Sequence, residues 1–272
     1  SGARPVFVPP QKGVCCGERR TLLSFRGSAF VKITEGCSNH CSFCAIPLIR
    51  GELRSRKVCD IVSEIKELVR DGIREINLIG QDLAAYGTGD GDDVCGTGMF
   101  PLPKIDENGV NRGTKSESAL SLLLKNISAL DGNFILRLLY IHPDHFNRDV
   151  LAAIKADRRI LRYFDIPFQS GCTKVIRAMN RRGSFAEYAH LVRDIRAALP
   201  DAVIRTTFLT GFPGETDEDA LETQRFLREI QSAWSGCFPY SREEDTPAYG
   251  MKKRVAAKTA KARADALTSI QA

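Results

Sequence analysis

Apolar side chains recur along this chain with two alternating spacings. Residues 58–70 show a helical period that places Ile61, Ile65 and Leu68 on one side. Short apolar runs of strand length separate such stretches. The predicted strands are residues 29–34, 75–79, 135–140, 162–166, 202–209 and 233–238. The predicted helices are residues 58–70, 119–130, 149–155, 185–198 and 217–230.

The alternation of strands and helices predicts an α/β fold, in which helices cross over between parallel strands. Six strands are too few for a closed barrel of eight strands and eight helices. The pattern therefore predicts an open, partial (β/α)6 barrel of the TIM-like type. In folds of this kind, active sites collect at the carboxyl ends of the strands.

Length and composition are those of one large domain. With 272 residues, the chain can bury about three quarters of its unfolded surface without a metal or a disulfide. It has no apolar run of the roughly 18 residues that a membrane span requires, and residues 1–10 lack the apolar centre of a signal peptide. We therefore expect a cytoplasmic, reducing location, in which the nine cysteines remain thiols.

Three cysteines with the spacing C-x3-C-x2-C carry the most specific chemical signal: Cys37, Cys41 and Cys44. Three thiolates can hold three irons of a 4Fe-4S cluster and leave the fourth iron open to another ligand. A structural zinc site, the main alternative, needs four ligands. His40 could be the fourth, but it adjoins Cys41, and adjacent side chains in extended backbone point apart. A cluster with one open iron is therefore the favoured interpretation.

Candidate motifs follow the predicted strands. Cys37 follows the first strand and Gly80 the second, while Gln169 follows the fourth and Gly211 the fifth. Because the carboxyl ends of parallel strands meet at one rim, we expect these residues to converge. The sequence therefore predicts a catalytic site at that rim.

The cysteine spacing, with Phe43 just before the third cysteine, resembles the signature of the radical S-adenosylmethionine (SAM) superfamily. Further segments resemble its methylthiotransferase family and occur in the same order. They are Gly80-Gln81-Asp82, Asp165-Ile166-Pro167-Phe168-Gln169-Ser170, Gly211-Phe212-Pro213-Gly214-Glu215-Thr216 and Tyr240-Ser241-Arg242-Glu243-Glu244. The resemblance extends from about residue 30 to residue 249 and implies the radical SAM partial barrel.

The resemblance also implies a site for S-adenosylmethionine beside a cluster held by the three cysteines. Asp82 would accept a hydrogen bond from the methionyl amino group, and Arg205 would pair with the carboxylate. The turn at residues 211–215 and Phe43 would flank the adenine. The implied cofactor-binding residues are Phe43, Gly80, Gln81, Asp82, Gln169, Ser170, Arg205, Gly211, Phe212, Pro213, Gly214 and Glu215. Ordinary alternatives for these residues are turn formation, exposure to solvent and helix capping.

In this family, reductive cleavage of S-adenosylmethionine yields a 5'-deoxyadenosyl radical, and a second 4Fe-4S cluster carries the methylated sulfur. The second cluster has its ligands in an amino-terminal domain, and adjacent Cys15 and Cys16 lack the required spread. We therefore expect this chain to be a catalytic core that cleaves S-adenosylmethionine without completing sulfur insertion.

The corresponding domain division has three parts. Residues 1–28 are expected to be a linker from an amino-terminal domain, and residues 29–249 the core barrel. Residues 250–272, basic and helical over 252–264, are expected to connect to a carboxy-terminal domain. Residues 88–118, rich in Gly, Asp, Asn and Pro, form a predicted loop insertion that contains Cys95.

The family acts either on an aspartate of ribosomal protein S12 or on adenosines of tRNA. Asp82, Glu243-Glu244 and residues 138–140 and 206–208 resemble the ribosomal branch, whereas His142-Pro143 also suits the tRNA branch. The net charge of +6 is compatible with either substrate. The implied partners are protein S12 or the small ribosomal subunit, with tRNA as the alternative, and an electron donor such as flavodoxin or ferredoxin; no membrane is implied.

The competing class of function is a non-catalytic iron-sulfur electron carrier or a metal-stabilised binding module. Either would require a fourth cysteine or histidine at ligand spacing. The sequence shows no such residue.

Overall fold

Strands and helices alternate along the described part of the chain, which comprises residues 27–90, 92, 94 and 117–271 of a computed structural model. The strands are β1 Ser28–Lys32, β2 Thr34–Glu35, β3 Arg54–Ser55, β4 Glu75–Ile79, β5 Ile135–Leu138, β6 Tyr163–Asp165, β7 Val203–Thr210 and β8 Trp234–Pro239. The helices are α1 Ile46–Arg50, α2 Val58–Arg70, α3 Ala119–Ser128, α4 Asp149–Ala156, α5 Thr173–Ala178, α6 Phe185–Ala198, α7 Asp217–Ile230 and α8 Ala257–Gln271. Short 3-10 helices span Pro143–His145 and Pro247–Gly250.

Six of these strands run parallel in two three-stranded sheets, with the orders β1-β4-β5 and β6-β7-β8. The sheets join between β5 and β6. There, Leu136 forms a parallel bridge with Ile160, and the Ile141 N–H donates to the Asp165 carbonyl oxygen at 2.9 Å. Within the described ranges, β1 and β8 do not pair with each other, so the curved array stays open. The arrangement confirms the predicted partial (β/α)6 barrel.

The first predicted strand, residues 29–34, differs most from the structure. Strand β1 ends at Lys32, and β2 then pairs antiparallel with β3. The chain turns at Gly36, which has a φ of 75° and approaches residue 52 so closely that a Cβ would lie 2.1 Å from the Glu52 carbonyl oxygen. Only glycine meets both requirements without strain. This two-stranded ribbon carries the cysteine segment to the carboxyl rim of the barrel.

Helices α2, α6 and α7 have the predicted bounds. The ends of α3 and α4 agree with the prediction within two residues. Local signals explain the agreement. The Ser184 hydroxyl accepts a hydrogen bond from the Glu187 N–H at the start of α6. Thr216 and Asp219 form a reciprocal capping box at the start of α7. The helices α1 and α5 and the β2-β3 ribbon lack such strong periods and were not predicted.

Strand β7 shows how the barrel separates its core from its concave side. Ile204 and Phe208 are buried on one face, where the Phe208 ring meets Phe226 of α7 edge to face at 6.2 Å. Arg205 and Thr207 alternate with them and are half-buried on the opposite face. The main apolar core therefore lies between the strands and the helices, and polar side chains line the concave side below the rim.

The carboxy-terminal segment is part of this domain. Residues 252–264 were predicted to be helical, but α8 begins at Ala257 and packs against β7, β8 and α7. The Thr210 hydroxyl donates to the Ala260 carbonyl oxygen at 2.8 Å. Gly211 follows with a φ of 75°, and a Cβ there would lie 2.3 Å from the Ala260 Cβ. The segment predicted as a connection, residues 250–272, thus contributes a helix to the barrel wall.

Several predictions concern residues that the structure does not describe. These are residues 1–26 of the predicted linker 1–28 and most of the predicted insertion 88–118, with Cys15, Cys16 and Cys95. Among the described helices, none combines the length and the apolar character needed to cross a bilayer.

Helix α8 should depend strongly on Arg263. Its guanidinium lies 2.7 Å from both the Glu215 and the Asp217 carboxylates, and the Glu215 side chain is only 2% exposed. Replacing Arg263 with Ala leaves a buried carboxylate without its cation, and we expect the free energy of unfolding to fall by about 3 kcal/mol. Urea denaturation at pH 7 measures the loss.

Lys261→Ala on the same helix is the control. Lys261 is 70% exposed and pairs with Asp265 across one turn, so its loss should cost no more than about 0.5 kcal/mol. Equal losses for the two variants would contradict the assignment of Arg263 as the residue that holds α8 in place.

Candidate active site

The cysteine loop lies between β2 and α1 and is fixed by backbone hydrogen bonds at both ends. The Cys37 N–H donates to the Gly51 carbonyl oxygen at 3.0 Å, and the Cys44 N–H donates to the Cys41 carbonyl oxygen at 2.9 Å. The Ser38 hydroxyl also accepts from the Leu53 N–H at 3.0 Å. The loop therefore presents its thiols from a defined backbone.

The three thiols face a cavity of about 300 Å³ at the carboxyl ends of the strands. This volume is at the lower end of the range for small-molecule sites. Of the residues predicted from the sequence, the cavity is lined by Cys37, Cys41, Phe43, Cys44, Gly80, Gln81 and Gln169. The predicted convergence of the cysteine loop with the segments after β4 and β6 is therefore observed.

Six further lining residues were not predicted to be part of the site. They are Asn39, Ile46, Tyr140, His142, Pro167 and Arg181. Tyr140 and His142 follow β5, so their position after a strand was an available signal. Arg181 follows α5 among polar residues, which gives no sequence signal of burial, yet it is only 5% exposed.

The three cysteines are free thiols, and Cys41 is the most buried. Burial raises the pKa of the Cys37 thiol to about 11, and the nearby Asp82, Cys41 and Cys44 charges add to this effect. Burial likewise raises the pKa of the Cys44 thiol. Since all three thiols line the same cavity, they can bind one common group.

The spacing of the thiols does not suit a single zinc ion. Sulfurs bound to one tetrahedral zinc lie about 3.8 Å apart, given Zn–S bonds of about 2.3 Å. Within the described ranges, three potential ligand side chains have atoms mutually within 4.8 Å only at Asp82, His142 and His145, and the cysteines do not form such a group. His40 is 58% exposed at its side chain and lies beside Glu52 at 3.5 Å. It is therefore not the fourth ligand.

Asp82 lies beneath the cavity and does not line it. Its side chain is only 1% exposed, and Oδ1 accepts from the N–H groups of Ala84 at 2.9 Å and His142 at 3.1 Å. Oδ2 accepts from the Asn39 amide at 3.0 Å and lies 2.9 Å from His145 Nδ1. With both oxygens used in this way, Asp82 joins loops together. The prediction that it receives the methionyl amino group is not supported by this geometry.

The Asp82 network is also a charge pair. Burial opposes ionisation of Asp82, but hydrogen bonds from His145 and Asn39 and the charge of protonated His145 hold its pKa below the ordinary value. The hydrogen bond to Asp82 raises the pKa of His145. His145 and Asp82 therefore form a hydrogen-bonded ion pair when the histidine is protonated.

Arg205 and Ser170 are likewise engaged away from the cavity. The Arg205 guanidinium donates to the buried Asp165 carboxylate at 2.7 Å. Because its charge is already paired, Arg205 is not free to bind a cofactor carboxylate as predicted. The Ser170 hydroxyl is fully buried and accepts from the Cys172 N–H at 3.1 Å. Both residues stabilise the walls of the barrel.

The turn at residues 211–215 does not line the cavity either. Its first N–H, at Gly211, donates to the Glu215 carboxylate at 2.6 Å, and Glu215 pairs with Arg263 of α8. Phe212 is fully buried against Tyr240 in a small apolar cluster that includes Phe43. Of the other two predicted residues, Pro213 lines a separate cavity beside α8, and Gly214 donates its N–H to the Lys253 carbonyl oxygen. The turn thus supports the cavity wall from behind.

Two cavity residues carry a buried polar atom without a hydrogen-bond partner in the described structure. They are Gln81, through its acceptor Oε1, and Arg181, through its donor Nε. The Arg181 Nη1 atom donates to the Pro167 carbonyl oxygen at 2.6 Å, which holds the guanidinium in place. An unpaired acceptor and an unpaired cationic donor in one cavity suit a ligand that has both an amino group and a carboxylate.

Comparison with known families identifies the fold. Residues 31–227 match the family model described as the radical SAM superfamily. The chain belongs to the radical SAM superfamily. Membership implies a 4Fe-4S cluster and S-adenosylmethionine, and the residues fit these groups. Three free thiols line the cavity, and an unpaired acceptor atom of Gln81 and an unpaired guanidinium N–H of Arg181 lie in the same cavity.

Curated relatives of this chain carry a more specific name. The chain is 54% identical over 264 residues to ribosomal protein uS12 methylthiotransferase RimO of Treponema denticola, and the alignment covers 94% of this chain and 54% of the relative. It is 37% identical to the protein of the same name from Thermotoga maritima, covering 98% of this chain and 56% of the relative. The chain thus spans about half the length of the curated relatives it matches.

Solved structures of lower identity share the radical SAM fold. The radical S-adenosylmethionine methyltransferase TsrM from Kitasatospora setae aligns with a TM-score of 0.60 at 17% identity, covering 82% of this chain and 38% of that chain. Coproporphyrinogen III oxidase (HemN) from Escherichia coli aligns with a TM-score of 0.58 at 14% identity, covering 90% and 53%. At such identities the likeness shows the fold alone.

The His145–Asp82 pair predicts a pH-dependent contribution to stability. His145 has a raised pKa in the folded chain, so its contribution is fully present below about pH 6.5 and is lost as the pH rises through the folded value. We expect wild type to be more stable than His145→Gln at pH 5.5 and the difference to shrink towards pH 9. Urea denaturation across this range measures it.

The exposed His190, which lies 3.4 Å from Asp194 on α6, provides the matched control. His190→Gln should cost no more than about 0.5 kcal/mol, since this pair is solvated. A difference at His145 that stays constant or grows with pH would contradict the ion pair with Asp82.

Proposed function

We propose that this chain is the catalytic core of a radical SAM methylthiotransferase that acts on an aspartate of ribosomal protein uS12. One observation carries the proposal: the three cysteines share one cavity with two side chains that each have an unpaired polar atom, in a chain 54% identical to a relative of that name. The resemblance of Asp82 and Glu243-Glu244 to the ribosomal branch supports the same substrate.

In this proposal Cys37, Cys41 and Cys44 each bind one iron. When bound, a 4Fe-4S cluster with an open iron supplies the electron for reductive cleavage of S-adenosylmethionine. Each thiol must lose its proton to bind iron, and burial makes this loss unfavourable at Cys37 and Cys44 in the free protein. The fixed loop backbone offsets part of that cost, because the cysteines need no rearrangement to face the cavity.

The methionyl group of S-adenosylmethionine is assigned to Gln81 and Arg181. The Gln81 Oε1 atom can accept a hydrogen bond from the amino group, and the Arg181 guanidinium can pair with the carboxylate. The Arg181 guanidinium also lies 6.0 Å above the Phe43 ring, which keeps it near the cysteine loop. Arg181 thus takes the role that the sequence assigned to Arg205.

The remaining parts of the reaction need groups beyond the described cavity. We place the second 4Fe-4S cluster, which carries the methylated sulfur, in a domain outside these 272 residues, consistent with the greater length of the relatives. The small ribosomal subunit is the proposed partner, with flavodoxin or ferredoxin as the electron donor. Transfer to tRNA is the alternative that the substrate test distinguishes.

The first test is cleavage of S-adenosylmethionine by this chain. Reconstituted anaerobically with iron and sulfide and reduced with dithionite, it should form methionine and 5'-deoxyadenosine in equal amounts, measured by mass spectrometry. Cys41→Ser should lower both products at least about 100-fold, because a cluster ligand is lost. Cys59→Ser, at an exposed cysteine of α2, should retain wild-type yield.

Offering uS12 and tRNA separately then tests the substrate assignment. Neither should gain a methylthio group from this chain alone, whereas 5'-deoxyadenosine formation should rise with uS12. Stimulation by tRNA instead would assign the tRNA branch. A third outcome is that the wild-type chain leaves S-adenosylmethionine uncleaved and shows no change in its cluster spectrum when S-adenosylmethionine is added. That result would favour an electron carrier.

A pair of arginine variants tests the assignment of the methionyl carboxylate. Arg181→Lys removes the planar fork while keeping the charge, and we expect the affinity for S-adenosylmethionine to fall about tenfold. Arg205→Lys should leave the affinity within about twofold, because Arg205 is bound to Asp165. Titration of the cluster's electron paramagnetic resonance signal with S-adenosylmethionine measures both. The reverse order would restore the original assignment to Arg205.

A further inference from the structure

His142 brings an imidazole to the sulfur of a cluster ligand. It follows β5 at the carboxyl rim, is 7% exposed, and lines the same cavity as the cysteines. Its Nε2 atom lies 3.9 Å from the Cys41 Sγ atom. The backbone N–H of His142 donates to the buried Asp82 carboxylate, so the main chain is fixed independently of the ring.

The other ring nitrogen determines where the imidazole proton resides. The backbone N–H of Asp144 donates to His142 Nδ1 at 3.2 Å, so Nδ1 is an acceptor and carries no proton. Asp144 is itself held, because its carboxylate accepts from the Tyr188 hydroxyl and the Arg182 N–H, both at 2.7 Å. A neutral imidazole in this environment must carry its proton on Nε2, which faces the sulfur.

Side-chain and backbone groups affect the three sulfurs differently. Burial raises the pKa of Cys37 and Cys44, and the backbone N–H groups of Asn39 and Ile46 partly offset that rise. At Cys41 the neighbouring group is the His142 side chain. Unlike a backbone N–H, this group can be changed by substitution.

We propose that His142 donates a hydrogen bond through Nε2 to the Cys41 thiolate and thereby raises the reduction potential of the cluster. The inference rests on the proposed function, since it requires Cys41 to bind iron. Hydrogen bonds to cluster sulfurs raise the potential because the reduced cluster carries one more negative charge, which a donor stabilises. His142 is a positioning residue in this role, acting through Cys41.

The main rival explanation is structural. The His142 ring also caps the 3-10 helix Pro143–His145 by accepting from Asp144, and a buried ring with this capping role alone would have no effect on potential. Two amide side chains separate the two roles. In His142→Asn, the amide oxygen replaces Nδ1 and keeps the cap but loses the donor to sulfur. In His142→Gln, the amide nitrogen replaces Nε2 and keeps that donor but loses the cap.

Redox titration of the reconstituted chain with dithionite, followed by the signal of the reduced cluster, compares the variants. At a fixed solution potential, the ratio of reduced to oxidised cluster should fall ~threefold to tenfold in His142→Asn and stay within about twofold of wild type in His142→Gln. His190→Gln, on the exposed face of α6, should match wild type. A wild-type ratio in His142→Asn, or an equal fall in both amides, would overturn the inference.

The proton position can be measured without any cluster. Nitrogen-15 chemical shifts of the His142 ring in the cluster-free chain should show Nε2 protonated and Nδ1 unprotonated. The opposite tautomer would overturn the inference. If the wild-type chain forms no redox-active cluster, the proposed function fails, and this measurement still determines whether His142 directs a proton at Cys41.

Discussion

The candidate site depends on one buried carboxylate. Asp82 accepts hydrogen bonds from the cysteine loop through Asn39, from its own loop through Ala84, and from the segment after β5 through His142. These three loops follow different strands. A charged acceptor with four partners can hold them together because each bond to a carboxylate is stronger than a neutral one. The Leu83 N–H, which donates to the Tyr140 carbonyl oxygen at 3.0 Å, adds a backbone link between two of the loops.

The open barrel explains why such a link is needed. On one side of β7, Ile204 and Phe208 pack beneath the helices, and that apolar packing stabilises the fold. The concave side instead carries half-buried polar groups such as Arg205, paired in register with Asp165 on β6. Ion pairs such as Arg205–Asp165 allow charged side chains to line the concave side of the barrel without leaving a buried charge unpaired. Apolar packing thus stabilises the strands and helices, whereas hydrogen bonds hold the loops at the rim.

Local periodicity predicted most of the frame. The helix at residues 185–198 has an amphipathic period and begins with a Ser cap, so its bounds followed from the sequence alone. The carboxyl-rim convergence of the cysteine loop and Gln169 likewise followed from their order after strands. By contrast, the turn after β2 depends on the close approach of Gly36 to residue 52, which a strand pattern does not encode.

The roles of individual charged residues were harder to predict, for a physical reason. Alternation on β7 places Arg205 on the concave face, but its partner Asp165 becomes apparent only once the register between β6 and β7 is known. Arg181 lies among polar residues in the sequence, yet it is only 5% exposed and its guanidinium donates to the Pro167 carbonyl oxygen. Sequence pattern gives the direction of a side chain, and tertiary contacts determine whether its charge is free.

The charges around the cavity have opposing effects on ionisation of the cysteines. The Asp82 charge that organises the loops also raises the pKa of Cys37, so the structural anion opposes formation of the thiolates that iron requires. Opposing influences are nearby: His145 pairs with Asp82, and the Arg181 charge partly offsets the rise that burial causes in the pKa of Cys44. N–H donors directed at the sulfurs act in the same sense, because they stabilise thiolate over thiol. The cavity can therefore keep its organising carboxylate and still accumulate the negative charge of a thiolate-bound cluster.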